Sequence, residues 1–383
     1  RKIGNEILSF ETGFIAKQAD ACVIAQYGET VVLSAISSGK GRPGLDFFQL
    51  MCDYRERTAA AGKFPGGFIK REGRPSTKET LTSRLTDRPI RPLFPKGYDK
   101  EVMCQSTVIA SDALNDADVL AMNGIATGLL ISPLPFQGQI ASVRVGRIDG
   151  ELVTFPNIEQ LEESDLDMIV SGSADEILMI EGFAREMPEE EMVDAILFAH
   201  KSIKEICELQ NEFVALCTVE KQEFVVKEDD GLFDKVKDKY FDDFKTAQLT
   251  PGKIASKEAV SALKDRIVEE MIPDAEAEDA ICGSDLQEAL GQLKSAVVRE
   301  LIIGGTRPDG RKHNELRNIE SYVDVYPRVH GSAVFQRGET QALITVVLGT
   351  GKDEQRVDGL TENYSKKFML DYNFPGYSVG EAK

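Results

Sequence analysis

One short pattern, used twice, constrains the fold more than any other feature of this sequence. Ala25-Gln26-Tyr27-Gly28-Glu29-Thr30 recurs as Phe335-Gln336-Arg337-Gly338-Glu339-Thr340, at an offset of 310 residues. The flanks agree too, with residues 31–36 corresponding to 341–346. The first occurrence lies within residues 21–36, two apolar runs separated by Gln26-Tyr27-Gly28-Glu29, which predicts a hairpin. Further on, Asp53-Tyr54 is echoed by Asp371-Tyr372, and Phe64-Pro65-Gly66 by Phe374-Pro375-Gly376. Self-similarity over such a distance predicts a duplicated domain rather than a solenoid. The first copy is expected over residues 1–217 and the second from 304 to 383, where it is incomplete. Residues 218–303 have a different texture, rich in Asp, Glu, Lys, Ala and Leu. Helices are predicted there at 232–247, 256–271 and 284–302, forming an all-helical domain. A half-sheet without covering helices exposes apolar faces and free edges. The expectation is that the polypeptide continues, or that another chain completes the sheet.

Charge marks a second feature. The 383 residues carry a net charge of −19. Residues 63–96 reverse that sign, with nine cations (Lys63, Lys70, Arg71, Arg74, Lys78, Arg84, Arg88, Arg91, Lys96) against Glu72, Glu79 and Asp87, a net of +6. Gly66, Gly67, Gly73 and Phe68 flank the Lys70-Arg71 pair. A flexible loop presenting cations beside an aromatic ring suits a phosphodiester backbone with exposed bases. The acidity elsewhere has two readings. It serves solubility, or it repels a nucleic acid from all but a few basic patches.

Local signals place these features. Ser76-Thr77-Lys78-Glu79 matches a capping box and predicts a helix of about three turns that stops before Pro89. Leu81 and Leu85 are expected to face the core, with Arg84 and Arg88 on another face. Residues 117–130 predict a buried helix in which Gly124 and Gly128 permit close packing. Ile148-Asp149-Gly150 predicts a hairpin turn. Pro188 and the three acids after it open a long helix, with Met192, Ile196, Ala199, Ile203, Ile206 and Phe213 as its buried stripe. His200 on that helix reads as a packed or surface residue. Strands are predicted at 47–54, 103–111, 166–172 and 176–181. Six scattered cysteines without a CxxC pair fit a reducing cytoplasm. No apolar run is long enough for a membrane span, and the first residues lack the apolar core of a signal peptide.

Six runs carry a family resemblance. They are Gly66-Gly67-Phe68-Ile69-Lys70-Arg71-Glu72-Gly73-Arg74-Pro75-Ser76, Asp87-Arg88-Pro89-Ile90-Arg91-Pro92-Leu93-Phe94-Pro95, Thr306-Arg307-Pro308-Asp309-Gly310-Arg311, His330-Gly331-Ser332-Ala333 with Arg337-Gly338-Glu339-Thr340-Gln341, and Tyr372-Asn373-Phe374-Pro375-Gly376-Tyr377-Ser378. Together they closely resemble the polyribonucleotide nucleotidyltransferase (polynucleotide phosphorylase) family, over its N-terminal portion and into the second RNase PH-like domain. The resemblance implies an α+β fold of duplicated RNase PH-like domains separated by an all-α domain, in a homotrimer whose pore admits single-stranded RNA. It implies a cytoplasmic, phosphate-dependent 3′-to-5′ exoribonuclease acting in mRNA turnover, with inorganic phosphate as co-substrate, Mg²⁺ or Mn²⁺ assisting, and partners in an RNA-degradation complex. In the family, the loop matching Phe68-Ile69-Lys70-Arg71 lines the pore and grips RNA. The usual pattern there is Phe-Phe-Arg-Arg. Ile69 removes a stacking platform and Lys70 lacks the planar fork of arginine, so the implied grip is kept but weaker.

Phe68, Lys70, Arg71, Arg74, Arg84, Arg88 and Arg91 are the candidate RNA-binding residues. For Arg84, Arg88 and Arg91 a structural role, pairing with Asp87, Asp53 or a neighbouring subunit, stays equally open. The family's phosphate-binding serines and metal-binding aspartates match nothing in this chain; they are expected beyond residue 383. The corresponding first-copy segment, residues 112–118, is acidic and is expected to repel phosphate. Glu159, Glu162, Glu163, Asp165 and Asp167 read as a solvated turn, with a metal site as the minor alternative. Two further readings remain: a non-catalytic RNA-binding and assembly module, and a metabolic enzyme that uses the basic loop for a nucleotide phosphate.

Overall fold

The repeated hexapeptide closes a tight hairpin in both places. The computed structural model describes residues 1–42, 47–66, 68–225, 231–273, 281–361 and 363–382. In the first copy, Tyr27 pairs with Thr30 across Gly28-Glu29; in the second, Arg337 pairs with Thr340 across Gly338-Glu339. Gly28 and Gly338 both have φ near +60°, a conformation that costs glycine nothing. Two central residues close each turn, a tighter hairpin than the four-residue separation read from sequence.

Two compact units result, one of Arg1–Val226 with Glu354–Lys383 and one of Lys227–Asp353. In the first unit, strands β1 (Lys2–Ile3), β2 (Glu6–Glu11), β3 (Ala21–Tyr27), β4 (Thr30–Gly39), β5 (Leu50–Glu56) and β6 (Glu101–Ala110) form a sheet in the order β1-β2-β3-β4-β6-β5. Among the described residues its one parallel pair is β5 with β6, which leaves β5 at an edge. Helix α1 (Thr77–Ile90) lies against β5, and helix α2 (Asp118–Ile131) covers β3 and β4. A second antiparallel sheet, ordered β10-β9-β7-β8, is built from β7 (Ala141–Ile148), β8 (Glu151–Thr154), β9 (Leu166–Gly172) and β10 (Ile177–Ala184), and is joined by the short helix α3 (Ile158–Glu163). The long helix α4 (Glu189–Ala215) packs on it and buries Ala195, Ala199, Ile203 and Ile206.

Helix α2 is buried nearly all round, and its two glycines explain how. A Cβ at Gly124 would lie 2.5 Å from Ser34 Oγ, and one at Gly128 would lie 3.2 Å from Ile36 Cγ1. The bare backbone therefore seats directly on the first hairpin, as the four-residue glycine spacing predicts.

The second unit opens with helices α5 (Leu232–Gln248), α6 (Lys253–Met271) and α7 (Gly283–Ile303), packed around Val236, Phe244, Ile267, Leu290 and Val297. Strands β11 (Ile319–Val323), β12 (Gly331–Arg337) and β13 (Thr340–Val346) follow as a three-stranded antiparallel sheet. The last segment, in the first unit, contributes the pair β14 (Gln355–Val357) and β15 (Tyr364–Lys366). Asp371-Tyr372 lies in no strand, so the echo of Asp53-Tyr54 in β5 does not extend to local structure. Among the described residues, no helix is long and apolar enough to cross a membrane.

Two expectations about α1 need correction. The helix runs through Pro89 to Ile90 instead of stopping before it, forgoing the one amide that would bond the Leu85 carbonyl, and a 3₁₀ turn at Arg91–Leu93 follows. Leu81 is 52% exposed rather than core-facing, while Leu85 is half-buried against Val119, Met122, Ile169 and Met179. Three of the five residues that α1 buries, Glu79, Thr82 and Thr86, are polar, and the apolar two, Pro89 and Ile90, lie at its end. Ser83 Oγ accepts from Tyr54 N at 3.0 Å, and Glu79 Oε1 accepts from Glu56 N at 2.9 Å. These two side chains satisfy the free amides of edge strand β5, so the docking face follows hydrogen-bonding need and not hydrophobic periodicity.

Candidate nucleic-acid interface

The basic loop is a projection tied down at both ends. At its start, Lys63 Nζ donates to the carbonyls of Gly359 (3.1 Å) and Thr361 (2.6 Å), beside the buried Leu360. At its end, Glu72 Oε1 accepts from both the amide and the hydroxyl of Thr58 at 3.0 Å. The predicted capping box then starts α1: Ser76 Oγ accepts from Glu79 N, and Glu79 Oε2 accepts from Ser76 N at 2.6 Å. Between these anchors Phe68 is fully exposed and Ile69 is 75% exposed. Lys70 has φ +55°, which turns the chain sharply at the cation pair. Lys70, Arg71 and Arg74 are exposed and have no ion-pair partner among the described residues. An aromatic ring and three unpaired cations thus stand in solvent on one short span.

The arginines of α1 divide by partner. Arg84 is exposed and without an ion pair among the described residues. Arg88 Nη1 pairs with Glu181 Oε2 at 2.6 Å, both side chains about half exposed, so the pair is weak and easily exchanged. Arg91 is fully engaged. Its Nε and Nη2 grip Asp87 at 2.8 and 2.7 Å, its Nη1 and Nη2 donate to the carbonyls of Phe48 and Leu50, and its guanidinium lies 5.7 Å from the Phe48 ring centre. Of the roles left open for Arg91, this geometry favours the structural one, a clamp that fixes the chain leading into β5.

Behind the loop lies a charge cluster that sequence reasoning did not single out. Lys78 Nζ bridges Glu56 and Asp116 at 2.8 Å each. Arg144, on β7, pairs with Asp116, Asp118 and Asp167 at 3.3, 3.1 and 2.7 Å. Burial works to raise Asp116, but Lys78 and Arg144 outweigh it and hold that carboxyl below its ordinary range. Burial and the neighbouring Asp116 push Asp118 up to about 6, against the pull of Arg144. The available signal was an arginine inside the apolar run Ala141–Ile148, since a charge in a buried strand needs partners.

The same geometry describes the acidic segment 112–118. Asp112 accepts from Thr30 Oγ1, Leu114 N, Asn115 N and Asn115 Nδ2 between 2.7 and 3.0 Å, locking the segment to the first hairpin's turn. Asp165 is paired with Arg147 and Asp167 with Arg144. Each of these carboxylates already serves a cation or a backbone amide, so the set does not suit a divalent metal. Among the described residues, no group of three or more His, Cys, Asp or Glu side chains fits one.

Comparison with known proteins is decisive for the family. The model for the 3′ exoribonuclease family, domain 1, matches residues 7–135 and again 315–383, covering both copies of the repeat. The chain belongs to the 3′ exoribonuclease family. Domain 2 of that family matches residues 138–202, and the polyribonucleotide nucleotidyltransferase RNA binding domain matches residues 231–312. The fold is therefore α+β, with RNase PH-like domains on either side of a helical domain. The chain is 64% identical over 383 residues to the polyribonucleotide nucleotidyltransferase of Rhodopirellula baltica, covering 100% of this chain and 51% of that protein. It is 44% identical over 377 residues to that of Maricaulis maris, covering 98% and 53%. It thus spans about half the length of the curated relatives it matches. The crystal structure of rice Rrp46 aligns with a TM-score of 0.46 at 13% identity, over 56% of this chain and 96% of that one.

Proposed function

We propose that this chain serves the phosphorolytic 3′-to-5′ degradation of single-stranded RNA, the polyribonucleotide nucleotidyltransferase reaction, in which inorganic phosphate releases nucleoside diphosphates. The observation that carries this reading is the tethered loop bearing Phe68, Lys70, Arg71 and Arg74. An exposed ring stacks a base of any sequence, and unpaired cations follow the phosphate backbone. Arg84 extends the cationic track. Arg88 joins it by releasing Glu181, and Arg91 supports it from behind.

In this reading the chain's share is RNA guidance and assembly as a homotrimer in the cytoplasm, with RNA-degradation partners. Mg²⁺ or Mn²⁺, when bound, would stabilise charge on the leaving oxygen. The described carboxylates do not suit that ion, so we place its ligands, and the residues that hold the attacking phosphate, in the part of the relatives' length that this chain does not span. The neutralised state of Asp116, Asp118, Asp165 and Asp167 favours the second reading for the 383 residues by themselves, a non-catalytic RNA-binding and assembly module.

Two measurements test this. Binding of poly(A) across a salt series should give a log–log slope that falls by about 1.4 in Lys70→Ala/Arg71→Ala, from about 0.7 per phosphate contact on a single strand. Affinity should weaken alike for all sequences; an unchanged slope would remove the loop from the interface. With phosphate and Mg²⁺ present, the 383-residue chain should bind poly(A) and release no nucleoside diphosphate. Release would show that the described residues suffice for the chemistry.

A further inference from the structure

The second unit holds a cleft that the RNA-guidance reading does not use. Its volume is about 630 Å³, within the usual range for small-molecule sites. The start of α6 supplies Lys253 and Lys257, α7 supplies Lys294, and the segment after α7 supplies Arg311 and Arg317. Two acids share the lining. Asp309 accepts from Arg311 at 2.9 Å and from Arg317 at 3.3 Å, so its charge is already taken up by the two guanidinium groups. Glu339, in the turn of the second repeat hairpin, accepts from Lys253 N at 3.2 Å. Lys257 and Lys294 have no ion-pair partner among the described residues. Five cations against two acids give this lining a net charge of +3 in a chain of net −19. Cations held close together in a concave site repel one another, and an anion seated among them relieves that repulsion.

We infer that this cleft binds a small, multiply phosphorylated anion, either a free polyphosphate or the phosphate tail of a nucleoside di- or triphosphate. The lining distinguishes this from a single-strand RNA groove. It contains no aromatic ring, so it offers no platform for base stacking, in contrast to the loop around Phe68. The ammoniums of Lys257 and Lys294, with Arg317 held only loosely on Asp309 at 3.3–3.4 Å, instead supply the charge-assisted hydrogen bonds that phosphate oxygens accept. The inference is independent of whether the chain degrades RNA.

The test is calorimetric titration of the 383-residue chain with sodium tripolyphosphate, ATP and adenosine. Tripolyphosphate should bind saturably at one site per chain. ATP binding with comparable affinity would identify a nucleotide tail as a fitting source, and preference for tripolyphosphate alone a free polyphosphate; adenosine should not bind. Lys257→Ala/Lys294→Ala, two exposed positions whose loss should leave the unfolding midpoint unchanged, should weaken tripolyphosphate binding about tenfold or more. Arg317→Gln should weaken it independently, and Lys70→Ala/Arg71→Ala should leave it unchanged. Absence of saturable binding, or equal affinity in the lysine variant, overturns the inference. So does a short oligoadenylate that binds in the cleft and is not displaced by tripolyphosphate, which would make it an RNA groove.

Discussion

The two copies of the hairpin share a turn and a register but have opposite environments. In the first, Val23, Ala25, Val32, Ser34 and Ile36 are fully buried. In the second, Phe335, Leu343, Ile344 and Val346 are between 41% and 58% exposed. The local sequence therefore sets the turn, and the helix laid on the sheet sets the burial. The turns also diverge in use. Around the first, Asp112 accepts from Glu29 N and Thr30 Oγ1 and fastens the acidic segment that leads into α2. At the second, Glu339 reaches Lys253 N and helps line a cationic cleft. A duplicated motif has kept its geometry while its neighbours give it different work.

The largest effect that would test this contrast is a matched truncation. Ile36 and Val346 occupy the same repeat position. Ile36→Ala removes a fully buried side chain beneath α2 and should cost about 2–5 kcal/mol, while Val346→Ala should stay within about 0.5 kcal/mol. Urea unfolding of the two variants checks this, and equal costs would refute the difference in cover. Gly124→Ala probes the cover from the helix side. Its Cβ would lie 2.5 Å from Ser34 Oγ, which is held by Ser106 Oγ at 2.9 Å and cannot swing away without losing that bond. Overpacking of about 1–3 kcal/mol, offset by nearly 1 kcal/mol of better helix propensity, leaves a net loss of up to about 2 kcal/mol. A stabilised variant would mean that α2 is not seated by its glycines. Position 344, the repeat counterpart of Ser34, is an exposed isoleucine, so the second hairpin has no such close approach.

The elements legible in the sequence were those marked by apolar periodicity or by local turn chemistry. Both hairpins, the buried helix with its paired glycines, the stripe of α4 and the three helices of the second unit all follow periodicity or turn chemistry. What stayed hidden was polar and long-range. Helix α1 docks through Glu79 and Ser83 onto amides of an edge strand, so Leu81 misled. Arg91 finds its carbonyl partners more than 40 residues away, at Phe48 and Leu50. The cleft draws Lys253, Lys294 and Arg317 from three separate elements, where no local charge run marks them. The loop around Phe68 was legible because its glycines, ring and cations are contiguous, and contiguous features survive in a linear reading.

The smallest expected effect concerns how the cover over the first hairpin responds to pH. Asp118 opens α2, is 5% exposed, and has its carboxyl raised to about 6 by burial and Asp116. A raised carboxylate binds its proton more tightly in the folded state. Its contribution is fully present below the ordinary value near 4 and is lost as pH rises through about 6. Asp116 is shifted the other way, so its contribution falls away only below about pH 4 and leaves the interval between pH 5 and 7 to Asp118. Stability of the first unit should therefore drop by about 1 kcal/mol from pH 5 to pH 7. In Asp118→Asn that drop should flatten, because the amide oxygen can still accept from Val119 N, as Oδ1 does at 2.6 Å, and does not titrate. Amide exchange makes the contrast specific. Protection in β3 and β4 should decline over this interval and the decline should vanish in the variant, while β12 and β13 should show no change that depends on residue 118. A decline that persists in Asp118→Asn would move the pH response away from the start of α2 and detach it from the cover that distinguishes the two hairpins.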